Sequence, residues 1–277
     1  MEYSEPPLIV LLGNSGSISR ALEREILQMG LRSLNLKISR QNSITESSFI
    51  NERLDCNLKK EKYFFIVNTI ASLNPKTKSD YYVNEFLPLD LLKYANKNNG
   101  FLIHLSTNNI SNINLIDLYT NQKRNGEQKI LKSKFLEYMI IRLPLVLPLK
   151  DIQDNFIPYQ YKLLIKFLKF PFVAIVPPSR NIYRPISALE VAKIILSKAI
   201  NFKKEYQQKI ITLNGQREMN LLDISKDLLE IIVTNKKKVI QIPMIWFLVD
   251  MVFIKFPQIK EKFKKNTFLQ QFLNTKR

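Results

Sequence analysis

The chain has 277 residues, of which 45% are hydrophobic and 24% charged; this excludes a wholly disordered protein and allows one large domain or a nucleotide-binding domain with an appendage. A single cysteine, Cys56, excludes a framework of internal disulfides and suits a reducing cytoplasm. The formal net charge of +18 indicates either an anionic partner or no more than a lysine-rich composition. The sequence has no Cys/His cluster with zinc-site spacing and no stacked-aromatic RNA motif, so we predict neither a metal site nor a nucleic-acid partner.

The first predicted element is a strand that runs into a glycine-containing turn and a helix. Residues 7–12 form a short continuous apolar run, as in a strand buried on both faces of a parallel sheet. Gly13 and Gly16 follow, with the small Ser19 where a third glycine would allow tight helix packing. Such a turn lets backbone N–H groups approach a dinucleotide pyrophosphate, although a purely structural turn is the alternative. The predicted cofactor contacts here are Gly13, Ser15, Gly16, Ser17 and Ile18.

The second predicted strand, residues 33–38, ends at Ser39 and Arg40. An acidic residue at this place would bind the ribose 2′-hydroxyl of NAD, and none is present. A serine and an arginine can accept a 2′-phosphate instead, which favours NADP over NAD. Arg40 as a solvated surface residue is the alternative.

Two further strands with a helix between them complete the pattern of a nucleotide-binding sheet. Residues 63–71 and 100–107 are the predicted strands, and residues 84–96 are the predicted helix. Strands that alternate with helices at this spacing predict a parallel, doubly wound sheet. The end of the earlier strand would lie beside the cofactor, with contacts from Asn68, Thr69 and Ile70.

Tyr119 and Lys123 are four residues apart, so both side chains would lie on one face of a helix. Reduction of a carbonyl needs an acid for the developing alkoxide, and a tyrosine can serve if an ammonium lowers its pKa. A hydroxyl at Ser106 or Thr107 would donate to the same carbonyl oxygen. The alternative is a surface tyrosine beside a solvated lysine. His104, the only histidine, is interpreted as a core histidine with a satisfied hydrogen bond rather than as a catalytic base.

Taken in order, these motifs resemble the extended short-chain dehydrogenase/reductases (the NAD-dependent epimerase/dehydratase family), nearest to the dTDP-4-dehydrorhamnose reductase-like branch. The resemblance covers roughly residues 7–235. The motifs are Gly13-x-x-Gly16-x-x-Ser19, Val67-Asn68, Val83-Asn84-x-x-x-Pro88, His104-Leu105-Ser106-Thr107, Tyr119-x-x-x-Lys123-x-x-Gly126-Glu127, Arg142-Leu143-Pro144 and Arg184-Pro185. The resemblance implies a Rossmann-type doubly wound parallel sheet with a smaller C-terminal substrate lobe. Residues 1–145 would form the NAD(P)-binding domain and residues 146–277 the lobe, with 181–215 returning to the Rossmann core.

The resemblance also implies an activity. It predicts a cytoplasmic reductase or epimerase-like enzyme that uses NADP or NAD and acts on a nucleotide-linked sugar. Its expected role is in cell-surface polysaccharide synthesis, and a homodimer is one expected form. Tyr119 would be the general acid/base, Lys123 would lower its pKa and bind the nicotinamide ribose, and Thr107 or Ser106 would donate to the carbonyl. The stretch from Thr107 to Tyr119 is shorter than in the family. The alternative is therefore a non-catalytic dinucleotide-binding sensor or assembly subunit of the same fold.

In the second half, Arg180 and Arg184 are candidates for binding the diphosphate of a nucleotide sugar, with surface solvation as the alternative. Residues 239–256 are very apolar, but the run from Pro243 is shorter than the ~20 residues that cross a bilayer. It predicts a core helix or, together with the lysines that follow, an interfacial helix that attaches residues 243–265 to a membrane surface.

Overall fold

The computed structural model describes residues 6–13, 16–36, 47–58, 61–112, 117–149, 161, 164–165, 168, 173–176, 181–232 and 238–241. The strands are β1 (Leu8–Leu12), β2 (Ser33–Leu36), β3 (Phe64–Asn68), β4 (Gly100–Thr107), β5 (Tyr138–Leu143), β6 (Val146–Leu147), β7 (Val173–Val176), β8 (Ile186–Ser187), β9 (Lys209–Thr212) and β10 (Lys238–Gln241). The α-helices are α1 (Ser17–Gln28), α2 (Ser47–Leu58), α3 (Lys78–Tyr81), α4 (Leu87–Lys97), α5 (Leu118–Leu131), α6 (Ala188–Ile200) and α7 (Leu221–Ile232). A π-helical turn (Tyr82–Phe86) joins α3 to α4, and 3₁₀ turns span Asn108–Ser111 and Lys204–Tyr206.

Six parallel strands form the main sheet, in the order β2-β1-β3-β4-β5-β9. All residues of β1 and β3 are buried, which explains why both strands are continuous apolar runs in the sequence. The strand order reverses between β1 and β3, so a crevice opens at the carboxyl ends of these two strands. The predicted Rossmann-type doubly wound sheet is confirmed.

Helices cover both faces of this sheet, because alternate residues of each strand point to opposite sides. On one face, Val10 and Leu102 belong to a buried apolar cluster with residues of α2, α4 and α5. On the other face, the rings of Phe65 and Phe101 contact Phe202, which follows α6, at centroid distances of 5.4 and 4.7 Å. Helix α1 packs against α6. Each fully buried large apolar side chain contributes about 1.5–3 kcal/mol to folding, so this sandwich is the main source of stability.

The described residues fall into two compact units, one within residues 1–144 and 188–213 and the other within 145–187 and 214–277. The second unit has two parallel strand pairs, β6 with β8 and β7 with β10. Its apolar cluster includes Tyr161, Leu164, Ile165 and Leu168, whose spacing is that of one helical face, together with residues of α7. Gly215 is required here, because a Cβ at this position would lie 1.7 Å from the carbonyl oxygen of Pro185.

No helix within the described ranges is long and apolar enough to cross a membrane. The segment 243–265, for which membrane attachment was considered, lies outside those ranges.

Candidate active site

The turn between β1 and α1 lies against the segment that follows β3. Gly13 has a φ of +101°, and a Cβ there would lie 2.7 Å from Thr69 Oγ1, so only glycine allows this approach. Gly16 is the N-cap of α1 and makes no side-chain cap. No atom of the described residues lies within 4 Å of the position that a Cβ of Gly16 would occupy, so they leave the space above it open. The first turn of α1 carries no acidic residue, so its N–H groups and helix dipole suit an anionic group.

Ser19 occupies the third position of the glycine motif, and its side chain is 1% exposed. Thr69 Oγ1 donates its proton to the carbonyl oxygen of Leu12 at 2.7 Å. Ser19 Oγ lies 2.5 Å from Thr69 Oγ1, so the serine must be the donor of that hydrogen bond. The serine therefore connects α1 to the ends of β1 and β3 through hydrogen bonds, where a glycine would only permit close packing. The motif alone did not predict this connection, because the partner is 50 residues away.

Asn68, the last residue of β3, is fully buried and bonds in two directions. Its Oδ1 accepts from the backbone N–H of Ile70 at 3.1 Å, which directs its Nδ2 towards His104 Nδ1 at 3.2 Å. His104 Nδ1 is therefore the acceptor, and the neutral ring carries its proton on Nε2. Burial, and then the charge of Lys123, hold the pKa of His104 well below its usual range. The prediction of a core histidine is confirmed, but Nε2 has no partner among the described residues.

Tyr119 and Lys123 lie on α5, as predicted, and their environments differ. Lys123 is 1% exposed, and its Nζ donates to the carbonyl oxygen of Leu105 in β4 at 3.0 Å. Burial lowers the pKa of Lys123 from 10.5 to about 8, against the opposing effect of the Glu127 carboxylate. Burial, and then the charge of Asp117, raise the pKa of the half-buried Tyr119 above its usual range. This direction is opposite to the lowering that was expected from Lys123.

Local interactions determine where α5 begins and how closely it packs. Asp117 is the N-cap, and its Oδ1 accepts from the backbone N–H of Thr120 at 2.9 Å. Gly126 faces the π-helical turn, where a Cβ would lie 2.7 Å from the carbonyl oxygen of Asn84. The buried Asn84 side chain donates to Gln122 Oε1 at 2.8 Å. The Gly-Glu pair of the sequence motif thus includes a glycine that α5 needs for packing.

Glu127, the second residue of that pair, is buried and forms an ion pair with the partly exposed Arg142 on β5. Arg142 Nη2 lies 2.7 Å from Glu127 Oε2, and Nε donates to both carboxylate oxygens at 3.2 Å. Glu127 is 1% exposed, and its charge also favours the ammonium form of Lys123. The Glu127 carboxylate therefore stabilises both Arg142 and Lys123. This arrangement requires β5 to lie beside β4.

The two hydroxyl candidates lie at the carboxyl end of β4. Alternation directs Ser106 to the same sheet face as His104, and Thr107 to the opposite face. Ser106 Oγ is buried and has no partner within the described part of the chain. Thr107 Oγ1 accepts from the backbone N–H of Asn109 at 3.3 Å and so caps the 3₁₀ turn.

Arg124 holds the short segment between β4 and α5. Its Nε donates to the carbonyl oxygen of Ile110 and its Nη2 to that of Asn112, each at 3.2 Å. The neighbouring Asn108 donates to the carbonyl oxygen of Leu213 at 2.9 Å, which ties the start of the 3₁₀ turn to the end of β9. Sequence reasoning missed Arg124, because a basic residue beside Lys123 gives no periodic signal.

Several predicted contacts lie outside the described residues, namely Ser15, Ser39, Arg40 and Arg180. Arg184 is described and is exposed, and it pairs with Glu218 at 2.6 Å within the second unit. Among the described residues, no group of three or more His, Cys, Asp and Glu side chains could hold a metal ion.

The structure defines the class of fold, a Rossmann-type doubly wound parallel sheet, with the glycine turn after β1 and the Tyr119–Lys123 pair on α5. Solved structures share this fold over most of their length. The dTDP-4-dehydrorhamnose reductase of Bacillus anthracis str. Ames in complex with NADP has a TM-score of 0.67 and 15% identity, and the match covers 87% of this chain and 86% of that chain.

Two further structures are similar over the same extent. The Bordetella bronchiseptica enzyme WbmH in complex with NAD⁺ has a TM-score of 0.60 and 13% identity, covering 85% of each chain. The UDP-glucose 4-epimerase of Thermotoga maritima with UDP-glucose has a TM-score of 0.61 and 14% identity, again covering 85% of each chain. At these identities the likeness shows the fold, and the predicted fold is confirmed. No family model matches the sequence, and no curated protein matches it.

Proposed function

We propose that this protein is an NAD(P)-dependent reductase of a carbonyl group on a nucleotide-linked sugar. The observation that carries the proposal is the half-buried Tyr119 one helical turn from the buried ammonium of Lys123, on a helix that packs against the end of β4. The solved structures with this fold include a reductase with NADP, an enzyme with NAD⁺ and an epimerase with UDP-glucose, which supports both the cofactor and the substrate class.

The residues at the switch point of the sheet fit a dinucleotide. The open space at Gly16 and the uncapped first turn of α1 would receive the pyrophosphate. The predicted contacts are Gly13, Ser15 and Gly16 on the turn, Ser17 and Ile18 at the start of α1, Ser39 and Arg40 after β2, Asn68 at the end of β3, and Thr69 and Ile70 after it. NADP or NAD in reduced form would supply a hydride to the carbonyl carbon. Lys123 would bind the nicotinamide ribose, since only one of its three N–H donors has a partner among the described residues.

Tyr119 is suited to donate a proton. Its phenol is protonated at neutral pH, as that of an ordinary tyrosine is, and can protonate a developing alkoxide, but the raised pKa makes it a weaker acid than the motif implies. Abstraction of a proton would need the phenolate, which burial and Asp117 disfavour. We therefore favour reduction over an epimerase-like reaction. Thr107 or Ser106 would donate to the same oxygen, and Arg180 and Arg184 would contact the diphosphate.

Replacement of Tyr119 by phenylalanine tests the proposal. We expect Y119F to bind NADPH as the wild type does and to lose turnover of keto-sugar nucleotides by a factor on the order of 10²–10⁴, because the general acid is removed. Oxidation of NADPH or NADH is followed with a panel of such nucleotides. Tyr81→Phe is the matched control, because Tyr81 is 40% exposed on α3 and is not among the predicted contacts of cofactor or substrate. Full turnover by Y119F would sink the proposal.

The second candidate is a non-catalytic dinucleotide-binding sensor or assembly subunit. The short segment before α5 favours it, because Arg124 clamps that segment and the Thr107 hydroxyl already caps the 3₁₀ turn. Dinucleotide binding by the wild type without turnover of any keto-sugar nucleotide would support this candidate over the first.

The finer expectations are proposals that rest on the sequence alone. They are a part in cell-surface polysaccharide synthesis, a cytoplasmic location, a homodimer and contact with a membrane surface through residues 243–265.

A further inference from the structure

One close contact and two hydrogen bonds join the proposed cofactor turn to the centre of the sheet. Gly13 lies against Thr69 and Ile70, the two residues that follow β3. The backbone N–H of Ile70 is held by Asn68 Oδ1, and the other end of the same amide holds His104 Nδ1. Asn68 therefore links the turn at the cofactor side to the ring of His104 in the neighbouring strand.

The hydrogen bond from Asn68 determines the tautomer of the imidazole. Because Nδ1 accepts from Asn68, the proton of the neutral ring is on Nε2, and neither nitrogen offers a lone pair to a cation. The charge of Lys123 acts on this ring and helps to keep it neutral. The ammonium donates to the carbonyl oxygen of Leu105, the next residue of β4, instead of to the histidine. Its other two protons have no partner in the described part of the chain and are available to a ligand.

We propose that His104 is a positioning residue for the proposed reaction: Asn68 holds it as the Nε2–H tautomer, so that the ring denies Lys123 an inward acceptor and keeps the ammonium aligned with the cofactor turn. The inference rests on the proposed function for the role of Lys123, but the tautomer and its coupling to dinucleotide binding are properties that can be measured without turnover.

Charged groups lie on α5 and on the elements that pack against it. Glu85, on the π-helical turn that packs against α5, pairs with Lys129 at 3.4 Å. Glu127 lies on α5 and favours the ammonium form, and Arg142 on β5 pairs with Glu127. Tyr119 lies on the first turn of α5, and Asp117 caps that helix. A negative charge introduced at Asn68 would therefore act on Lys123 through the imidazole of His104. It would leave the Glu127–Arg142 ion pair unchanged.

The chain has one histidine, so its ¹⁵N signals need no assignment. We expect ¹⁵N NMR of histidine-labelled wild-type protein to show a neutral Nε2–H ring that does not titrate near the usual histidine pKa of about 6.5. We also expect the Nε2 signal to shift when NADPH is added. A titration near that pKa, an Nδ1–H tautomer or no response to NADPH would overturn the proposal.

Asn68→Asp tests the coupling, because a carboxylate of the same shape still accepts from Ile70 but can only accept from His104. The ring must then carry its proton on Nδ1, which leaves the Nε2 lone pair free to accept from Lys123. That acceptor and the added negative charge both favour the ammonium form of Lys123. In the wild type, NADPH binding should weaken as pH rises above about 8. In N68D we expect this alkaline limb to move up by about one pH unit. Asn98→Asp is the matched control, because Asn98 bonds the Tyr94 carbonyl before β4 begins.

The loss of binding at alkaline pH is measured from the dissociation constant of NADPH. Where a substrate is found, it is also measured from kcat/KM. If the proposed function is wrong, the wild type binds NADPH but turns over no keto-sugar nucleotide. The pH dependence of NADPH binding still tests the role of His104 in that case. An unchanged limb in N68D with the tautomer reversed would show that His104 is only a structural residue, and so overturn the proposal. A limb that moves equally in N98D would overturn it as well.

Discussion

Lys123 is a buried charge that weakens the fold, and the proposed function gives it a role in the site. Lys123 is 1% exposed, and burial lowers its pKa from 10.5 to about 8. A group whose pKa is lower in the folded state binds fewer protons there than in the unfolded chain between these two values. The contribution of Lys123 to stability is therefore unfavourable below about 8 and improves as pH rises towards 10.5.

Replacement of Lys123 by methionine should separate stability from function. We expect K123M to raise the free energy of unfolding at neutral pH by about 1–2 kcal/mol, since an apolar chain of similar length replaces a buried ion. The gain should shrink when unfolding by urea is repeated at about pH 10, where the wild-type lysine is mostly neutral. Lys132→Met, just past the end of α5, is the control. Lower stability of K123M at neutral pH would contradict this account.

At the scale of the element, α5 is defined by its N-cap, two inward-facing charged side chains and one close contact. Asp117 caps its start, and Glu127 and Lys123 hold its inner face against β4 and β5. Gly126 is the point of closest approach to the π-helical turn, 2.7 Å from the carbonyl oxygen of Asn84 if a Cβ is added. Helix propensity alone would favour alanine there by about 1 kcal/mol, so the glycine is explained by packing rather than by local preference.

Gly126→Ala tests that explanation. We expect the variant to lose 1–3 kcal/mol of stability, about the cost of overpacking, despite the better helix propensity of alanine. Chemical denaturation of G126A is compared with that of Gln128→Ala, an exposed position two residues further along α5. Stability equal to or above that of the wild type in G126A would mean that the π-helical turn moves away without cost.

At the scale of the whole molecule, the net charge of +18 is the dominant property. The proposed cofactor turn lies at the N-terminus of α1, Lys123 is a buried cation, and the proposed ligands are polyanions. A protein of this charge attracts such ligands over distances that salt screens, with a Debye length of ~10 Å at 0.1 M ionic strength.

Binding of NADPH should therefore depend on salt. We expect the dissociation constant to rise several-fold between about 0.05 and 0.5 M NaCl, mainly through a slower association rate. Stopped-flow fluorescence measures that rate, and thermal unfolding at the same salt concentrations controls for changes in stability. Salt-independent association would show that the lysines are only a solvated surface.

The sequence by itself determined the architecture and the order of the motifs. A continuous apolar strand, a positive-φ glycine and a helix are local features, so residues 7–28 predicted β1, the turn and α1 without any distant contact. The i, i+4 spacing likewise predicted that Tyr119 and Lys123 share a helix.

Only the tertiary structure decided the protonation chemistry and the partners of these residues. The pKa of Tyr119 is raised where the motif predicted a lowering, because burial and Asp117 outweigh the expected effect of Lys123. Asn68 and His104 are 36 residues apart in the chain, and Ser19 and Thr69 are 50 apart. Such pairs arise when parallel strands and their helices assemble, and no local pattern of residues encodes them. Hydrogen-bond direction and burial, which set charge and tautomer, are properties of that assembly.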